Sequence, residues 1–137
     1  MPSAASIMAA GIGKDAAMVE DDPEDAIDRE ALRALEAVLG EERMAGFVGE
    51  YIVAAGTLHD DLRRAWAERD WDAAYRPAHN LVSNAGNFGA HRVAAVADRA
   101  QKALRLHDAQ AVEEALAPLE DALATASAEL RRLYPRT

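Results

Sequence analysis

The chain has no cysteine among its 137 residues. This absence excludes disulfide bonds, thiolate catalysis and cysteine-ligated zinc or iron–sulfur centres. A chain without disulfides is compatible with the cytoplasm, and we predict a cytoplasmic protein. The sequence also lacks any apolar run that approaches the ~20 residues needed to span a bilayer. We therefore expect neither a membrane-spanning segment nor a membrane partner.

Basic residues are outnumbered by acidic ones: Lys and Arg total 15, Asp and Glu total 24, and the formal net charge is −9. Such a chain is repelled by the phosphates of nucleic acids and anionic membranes, so neither is a good partner. Its length suits one hydrophobic core, since single domains commonly have about 100–200 residues. We predict one domain over residues 25–137, preceded by a mobile acidic and Ala-rich leader over residues 1–24.

The apolar residues from Asp21 onward recur at intervals of three and four, the period of a helix, and no segment alternates with the period of a strand. This pattern predicts five helices, of which the first begins at Asp25 or Asp28 and ends at Gly40. The last helix has the register of antiparallel bundles. We predict an all-α fold: an antiparallel up-down four-helix bundle with an additional short N-terminal helix across one end.

The predicted core-facing residues of the first two helices are Ile27, Ala31, Leu35, Val38, Met44, Phe47, Val48, Tyr51, Ala55, Leu58, Leu62 and Ala65. Aromatic residues cluster at the turn before the third helix: Trp66, Trp71 and Tyr75. Aromatic side chains at such a turn more often close the end of a bundle than bind a ligand. We therefore assign this cluster to packing.

The third predicted helix, capped by Asp70 and closed by Gly89, carries a histidine outside its apolar stripe. The stripe consists of Ala74, Ala78, Leu81, Ala85 and Phe88. Counting from His79, positions 83 and 86 lie on the same side one and two turns later, and they are Ser and Gly. An imidazole on a low, polar surface can be reached by a partner's reactive group. This favours a nucleophile or phosphoryl carrier over core packing.

The residues around this histidine resemble the histidine-containing phosphotransfer (HPt) domain family, whose pattern is His, any residue, Leu, Lys, Gly, five residues, Gly. Here His79, Leu81 and Gly89 match, and Gln101 stands where many members carry a polar side chain near the phosphorylated ring. In helix layout the resemblance covers about residues 25–133. It implies that Nε2 of His79 takes a phosphoryl group from the aspartyl phosphate of a receiver domain.

The chain departs from the family pattern at two positions, with Val82 in place of the lysine and Ser83 in place of the first glycine. Loss of the lysine removes a cation beside the phosphoryl group and weakens its electrostatic stabilisation. Arg76, one turn before His79, offers a replacement. The predicted neighbours of the phosphoryl group are Gln101, Ser83, Arg76 and Asn84. The predicted receiver-docking residues are Val82, Ser83, Gly86 and Gly89.

The functional hypothesis is a histidine phosphotransfer protein that relays a phosphoryl group between His79 and the aspartates of response-regulator receiver domains in a two-component phosphorelay. Such a protein is a phosphocarrier without catalytic activity of its own, and we expect no cofactor, with Mg²⁺ on the partner receiver. The four histidines are too far apart in sequence for a helical metal site, so no metal ligands are predicted. We expect a monomer, with a hybrid histidine kinase as a further candidate partner.

A second hypothesis follows from Val82. An HPt-like helical adaptor could dock a receiver or a kinase without carrying phosphate. Either protein would benefit from the basic residues between positions 73 and 107, which suit an acidic partner surface. These are Arg76, Arg92, Arg99, Lys102 and Arg105, against one acid, Asp98.

Overall fold

The computed structural model describes residues 26–135, which form five helices and no strand. The helices are α1 (Arg29–Leu39), α2 (Glu41–Ala67), α3 (Trp71–Asn87), α4 (His91–Arg105) and α5 (Ala109–Leu133). This confirms the prediction of an all-α fold with a short N-terminal helix. The leader predicted over residues 1–24 lies outside the described residues.

The bundle is built from α2 to α5, which are joined by three-residue turns at 68–70, 88–90 and 106–108. Turns this short make successive helices antiparallel neighbours, and α3 packs against both α2 and α4. Helix α1 packs on α2 at the end that contains the α3–α4 turn, where Asp28 N–H donates to the Gly89 carbonyl at 2.8 Å. The first helix therefore lies at one end of the bundle, as the sequence predicts.

Aspartate caps set where three of the helices begin. Asp28, Asp70 and Asp108 each accept a hydrogen bond from the backbone N–H three residues later, at 3.1 Å. Each cap satisfies an amide that the first helical turn leaves unpaired. The predicted cap at Asp70 is confirmed, and the first helix begins after Asp28 rather than Asp25.

Three residues predicted to face the core are exposed: Ala31, Val38, which is 81% exposed, and Phe47, which is 42% exposed. The physical reason at Val38 is the register of α1, whose packed residues are Leu32, Leu35 and Leu39. Because α1 begins only after Asp28, Ile27 is buried ahead of the helix and does not set its inward face. In α3, by contrast, Ala74, Ala78, Leu81 and Ala85 are buried as predicted.

Gly89 is required by the α3–α4 turn. Its φ is +70°, and a Cβ there would lie 3.0 Å from both Cβ and the carbonyl oxygen of Asp28.

We expect Gly89→Ala to lower the free energy of unfolding by about 2–4 kcal/mol. The alanine would be strained at a positive φ, and its Cβ would crowd Asp28. Gly56, which lies inside α2 with open space around it, is the control. There the same change should raise stability by about 0.5–1 kcal/mol. Urea denaturation measures the free energy of unfolding of both variants, and equal changes in Gly89→Ala and Gly56→Ala would contradict this explanation.

A buried carboxylate joins α1 to α5. Glu129 is 4% exposed and forms ion pairs with Arg29 of α1 and with Arg132, whose Nη2 lies 2.7 Å from Oε2. The hydrogen bond from Arg132 lowers the pKa of Glu129 below its ordinary value of 4.5. Because the folded-state pKa is lowered, the stabilisation is complete above pH 4.5 and is lost as the pH falls through the lowered pKa.

We expect Glu129→Ala to reduce the free energy of unfolding by about 1–3 kcal/mol at neutral pH, because it leaves two arginines without their shared carboxylate. Asp121→Ala removes an exposed carboxylate from the same helix and should change stability by less than about 0.5 kcal/mol. Urea titrations at pH 7 and pH 3 measure both. The difference in free energy of unfolding between the two variants should be smaller at pH 3 than at pH 7. A difference that is the same at both pH values would argue against the ion pair as its source.

Candidate functional site

His79 lies at the middle of α3 on its exposed face, as the sequence predicts. Two contacts hold the imidazole. The ring stacks on Tyr75, one turn earlier, with centroids 5.7 Å apart and planes 15° apart. Nδ1 lies 2.9 Å from Oε1 of Gln101 on α4. Within residues 26–135, Nε2 has no hydrogen-bond partner, so one ring nitrogen is held and the other is accessible.

The side-chain amide of Gln101 determines which ring nitrogen carries the proton. Its Nε2 donates to Oδ1 of Asp98 at 2.6 Å, so its Oε1 faces His79. A carbonyl oxygen only accepts, and therefore Nδ1 of His79 must be the donor. In the neutral ring the lone pair is then on Nε2, the nitrogen that faces away from Gln101. The hydrogen-bond network thus selects the tautomer with a nucleophilic Nε2.

Asp98 is itself held by a cation. Nζ of Lys102 lies 2.8 Å from Oδ2 of Asp98, one turn later on α4. The hydrogen bond from Lys102, followed by that from Gln101, lowers the pKa of Asp98 below its ordinary value. The carboxyl group is therefore ionised at neutral pH and can act only as an acceptor toward Gln101.

A second cation on α4 reaches the aromatic ring beside His79. Nη2 of Arg105 donates to the hydroxyl of Tyr75 at 2.6 Å, and the guanidinium carbon lies 5.4 Å from the ring centroid. Tyr75 thus connects Arg105 to the imidazole that stacks on its ring. This arrangement places positive charge on the same side of α3 as His79.

The family model of the Hpt domain matches residues 46–129, which is more than half of the chain. The chain belongs to the Hpt domain family. Its fold is similar to the crystal structure of histidine-containing phosphotransfer protein B (HptB) from Pseudomonas aeruginosa PAO1, with a TM-score of 0.77 and 18% sequence identity. The similarity covers 82% of this chain and 96% of that one. No curated protein matches the sequence significantly.

In this Hpt domain the predicted phosphoryl neighbours separate into two groups. Gln101 contacts the imidazole directly. Ser83 and Asn84 instead line an open groove between α3 and α2. Arg76 lines a different groove, together with acidic residues of α2 and of the turn that follows it. The structure places none of these three in hydrogen-bond contact with His79. Arg105, rather than Arg76, is the cation linked to the ring that stacks on the histidine.

The predicted docking residues also differ in exposure. Ser83 and Gly86 are exposed, and a Cβ added at Gly86 would meet nothing within 4 Å. Val82 is half-buried and packs against the core. Gly89 is buried against Asp28 and presents little surface to a partner, so its role in docking stays a prediction. The match to the family glycine there reflects the geometry of the turn.

Sequence reasoning missed Tyr75, Asp98 and Arg105 as site residues. Tyr75 was assigned to the aromatic cluster at the end of the bundle, although a spacing of four residues from His79 on one helix allows the two rings to meet. For Asp98 the available signal was its spacing of three residues from Gln101. Arg105 follows Gln101 by one turn. All three are recognisable once α4 is known to pack beside His79.

The described part of the chain contains no group of three or more His, Asp or Glu side chains that could hold a metal ion. Among its helices, none combines the length and the hydropathy that crossing a membrane requires.

Proposed function

We propose that this Hpt domain is a histidine phosphotransfer protein that accepts a phosphoryl group on Nε2 of His79 from the aspartyl phosphate of one receiver domain and passes it to another. The observation that carries the proposal is the exposed imidazole with Nδ1 occupied by Gln101 at 2.9 Å. Because the proton is on Nδ1, the lone pair of Nε2 is available to a phosphorus atom brought by a partner.

The transfer needs no proton movement within the chain. The Nε2 lone pair forms the N–P bond while the bond between phosphorus and the aspartyl oxygen breaks, and the aspartate leaves as a carboxylate. Positive charge develops on the imidazole as the N–P bond forms. The carbonyl oxygen of Gln101, which accepts from Nδ1–H, stabilises this charge. Transfer to a second receiver is the same step in reverse.

The charge around the site supports a receiver as partner. In-line phosphoryl transfer depends mainly on positioning and on neutralising charge, and the receiver would supply Mg²⁺. On this chain Arg105 and Lys102 lie on α4 beside His79, although the whole sequence has a net charge of −9. A local basic surface on an acidic protein favours approach of an acidic phosphoacceptor pocket.

A mixing experiment tests the proposal. The protein is incubated with a receiver that carries an aspartyl phosphate, in the presence of Mg²⁺, and the intact mass of the protein is followed. We expect a gain of one phosphoryl group that survives alkali and is lost in acid, with matching loss from the receiver.

The second candidate is the docking adaptor, which Val82 favours because the family lysine is missing there. Its outcome in the same experiment is distinct: the receiver binds the protein but keeps its phosphate. The monomeric state, the cytoplasmic location and a hybrid histidine kinase as an additional partner stay predictions. Size-exclusion chromatography of the protein with and without the receiver would test the first of these.

A further inference from the structure

An acidic residue stands directly behind the Gln101 amide, in a part of the chain that is otherwise basic. Asp98 is the one acid between positions 73 and 107, where five Lys and Arg residues lie. A carboxylate there weakens the positive field that a phosphoryl group and an acidic receiver would favour. Its presence therefore calls for a role that outweighs this electrostatic cost.

We propose that Asp98 is a positioning residue that fixes the orientation of the Gln101 amide and, through it, the tautomer of His79. This inference rests on the proposed function, since it concerns the nitrogen that takes the phosphoryl group. The observations that carry it are the 2.6 Å hydrogen bond from Gln101 to Asp98 and the 2.9 Å contact of Gln101 with Nδ1 of His79.

The side-chain amide of glutamine has nearly the same shape when its oxygen and nitrogen are exchanged. Exchange would turn the NH₂ group toward Nδ1 of His79, which would then have to accept, and the ring proton would move to Nε2. A protonated Nε2 has no lone pair for phosphorus. With nothing behind the amide, both arrangements give Gln101 one hydrogen bond to the ring, and neither is strongly preferred.

Asp98 separates the two arrangements because its carboxylate only accepts. In the observed orientation it receives a charge-assisted hydrogen bond from the amide nitrogen, the stronger class of hydrogen bond. In the exchanged orientation two oxygens would face each other. Lys102 holds the carboxylate in place from the other side at 2.8 Å. Positions 98, 101 and 102 share one face of α4, so the helix itself sets the spacing of this chain of contacts.

The experiment uses the full chain and measures the tautomer separately from phosphoryl transfer. The ¹⁵N chemical shifts of the His79 ring are recorded without a receiver at a pH of about 9, above the ordinary titration range of imidazole. We expect the wild type to carry its proton on Nδ1. Asp98→Ala should move a large share of the population to the Nε2–H form.

The transfer rate should follow the competent population. If only about a tenth to a third of the rings keep the proton on Nδ1, the rate at saturating receiver should fall by about 3- to 10-fold. Asp121→Ala removes one acid from an exposed position on α5 and is the control for net charge; it should change neither readout. Lys102→Met should keep the Nδ1–H form, because the bond between Asp98 and Gln101 remains.

A double-mutant cycle decides whether Asp98 acts through Gln101. In the Gln101→Ala background, Asp98→Ala should have no further effect on the tautomer or on the rate, because the amide that it orients is gone. A full additional effect in that background would overturn the proposal, as would an unchanged tautomer in Asp98→Ala alone. A wild type that shows the Nδ1–H form but takes no phosphoryl group would contradict the proposed function while leaving the role of Asp98 in the tautomer supported.

Discussion

His79→Gln is expected to abolish uptake of a phosphoryl group from a receiver. The glutamine amide can still hydrogen-bond to Gln101, but it has no nucleophilic lone pair that could form an N–P bond. Because His79 is exposed, and because its hydrogen-bond and ring partners among the described residues are Gln101 and Tyr75, its replacement should change stability by less than about 0.5 kcal/mol. Intact mass spectrometry after incubation with phosphorylated receiver and Mg²⁺ should show no acid-labile species.

The matched controls are the other exposed histidines. His91 hydrogen-bonds to Asp28 at 3.1 Å, and the ring of His107 stacks on Trp71 with centroids 4.4 Å apart. Both histidines lie at turns, at opposite ends of the bundle, away from the middle of α3. His91→Gln and His107→Gln should therefore retain uptake at the wild-type level. Loss of uptake in either variant with retention in His79→Gln would place the acceptor elsewhere.

Gly86→Trp is expected to block transfer while the helical circular dichroism stays the same. Gly86 lies on the exposed face of α3, about 10 Å along the helix from His79, and a Cβ added there would meet nothing within 4 Å. The indole would therefore project from the surface on which we expect the receiver to dock. At fixed receiver concentration we expect the transfer rate to fall by ~100-fold or more, which corresponds to loss of about 3 kcal/mol of docking energy.

Gly56→Trp is the control for this variant. Gly56 is also helical and exposed, with open space around it. It lies two helical turns after Gly49 on the same side of α2, and that side borders the end of α5. The same added bulk on that side should leave transfer within about twofold of the wild type. Equal transfer by the two variants would show that the receiver docks elsewhere. Both changes replace a poor helix former with a better one, so neither should destabilise the bundle.

Local chemistry explains why much of the fold could be predicted. Asp70 caps α3 because its side chain reaches an amide three residues later, and such a signal is complete within one helical turn. The exposure of His79 follows from its position outside the stripe of buried alanines and Leu81. The register of α1 was harder to predict from the sequence, because it depends on packing against α2, which places Leu32 inward and leaves Val38 exposed.

The site was only partly predictable because its contacts cross between helices. The sequence indicated Arg76 as the cation near His79 because it lies one turn earlier on the same helix, whereas the contact of Arg105 with Tyr75 depends on how α4 packs beside α3. The ion pair between Arg29 and Glu129 joins residues 100 positions apart, and no periodicity indicates it. Gln101 was found through the spacing of a family pattern. The role proposed for Asp98 depends on the direction of the Gln101 amide, which the two hydrogen bonds in the folded chain define.

The most direct test of this account is the position of the N–P bond in the phosphorylated protein. After transfer from a receiver, ¹⁵N and ³¹P NMR of the full chain should show phosphorus coupled to Nε2 of His79, with the proton retained on Nδ1. Coupling to Nδ1 of His79, or to a nitrogen of any other histidine, would contradict the account.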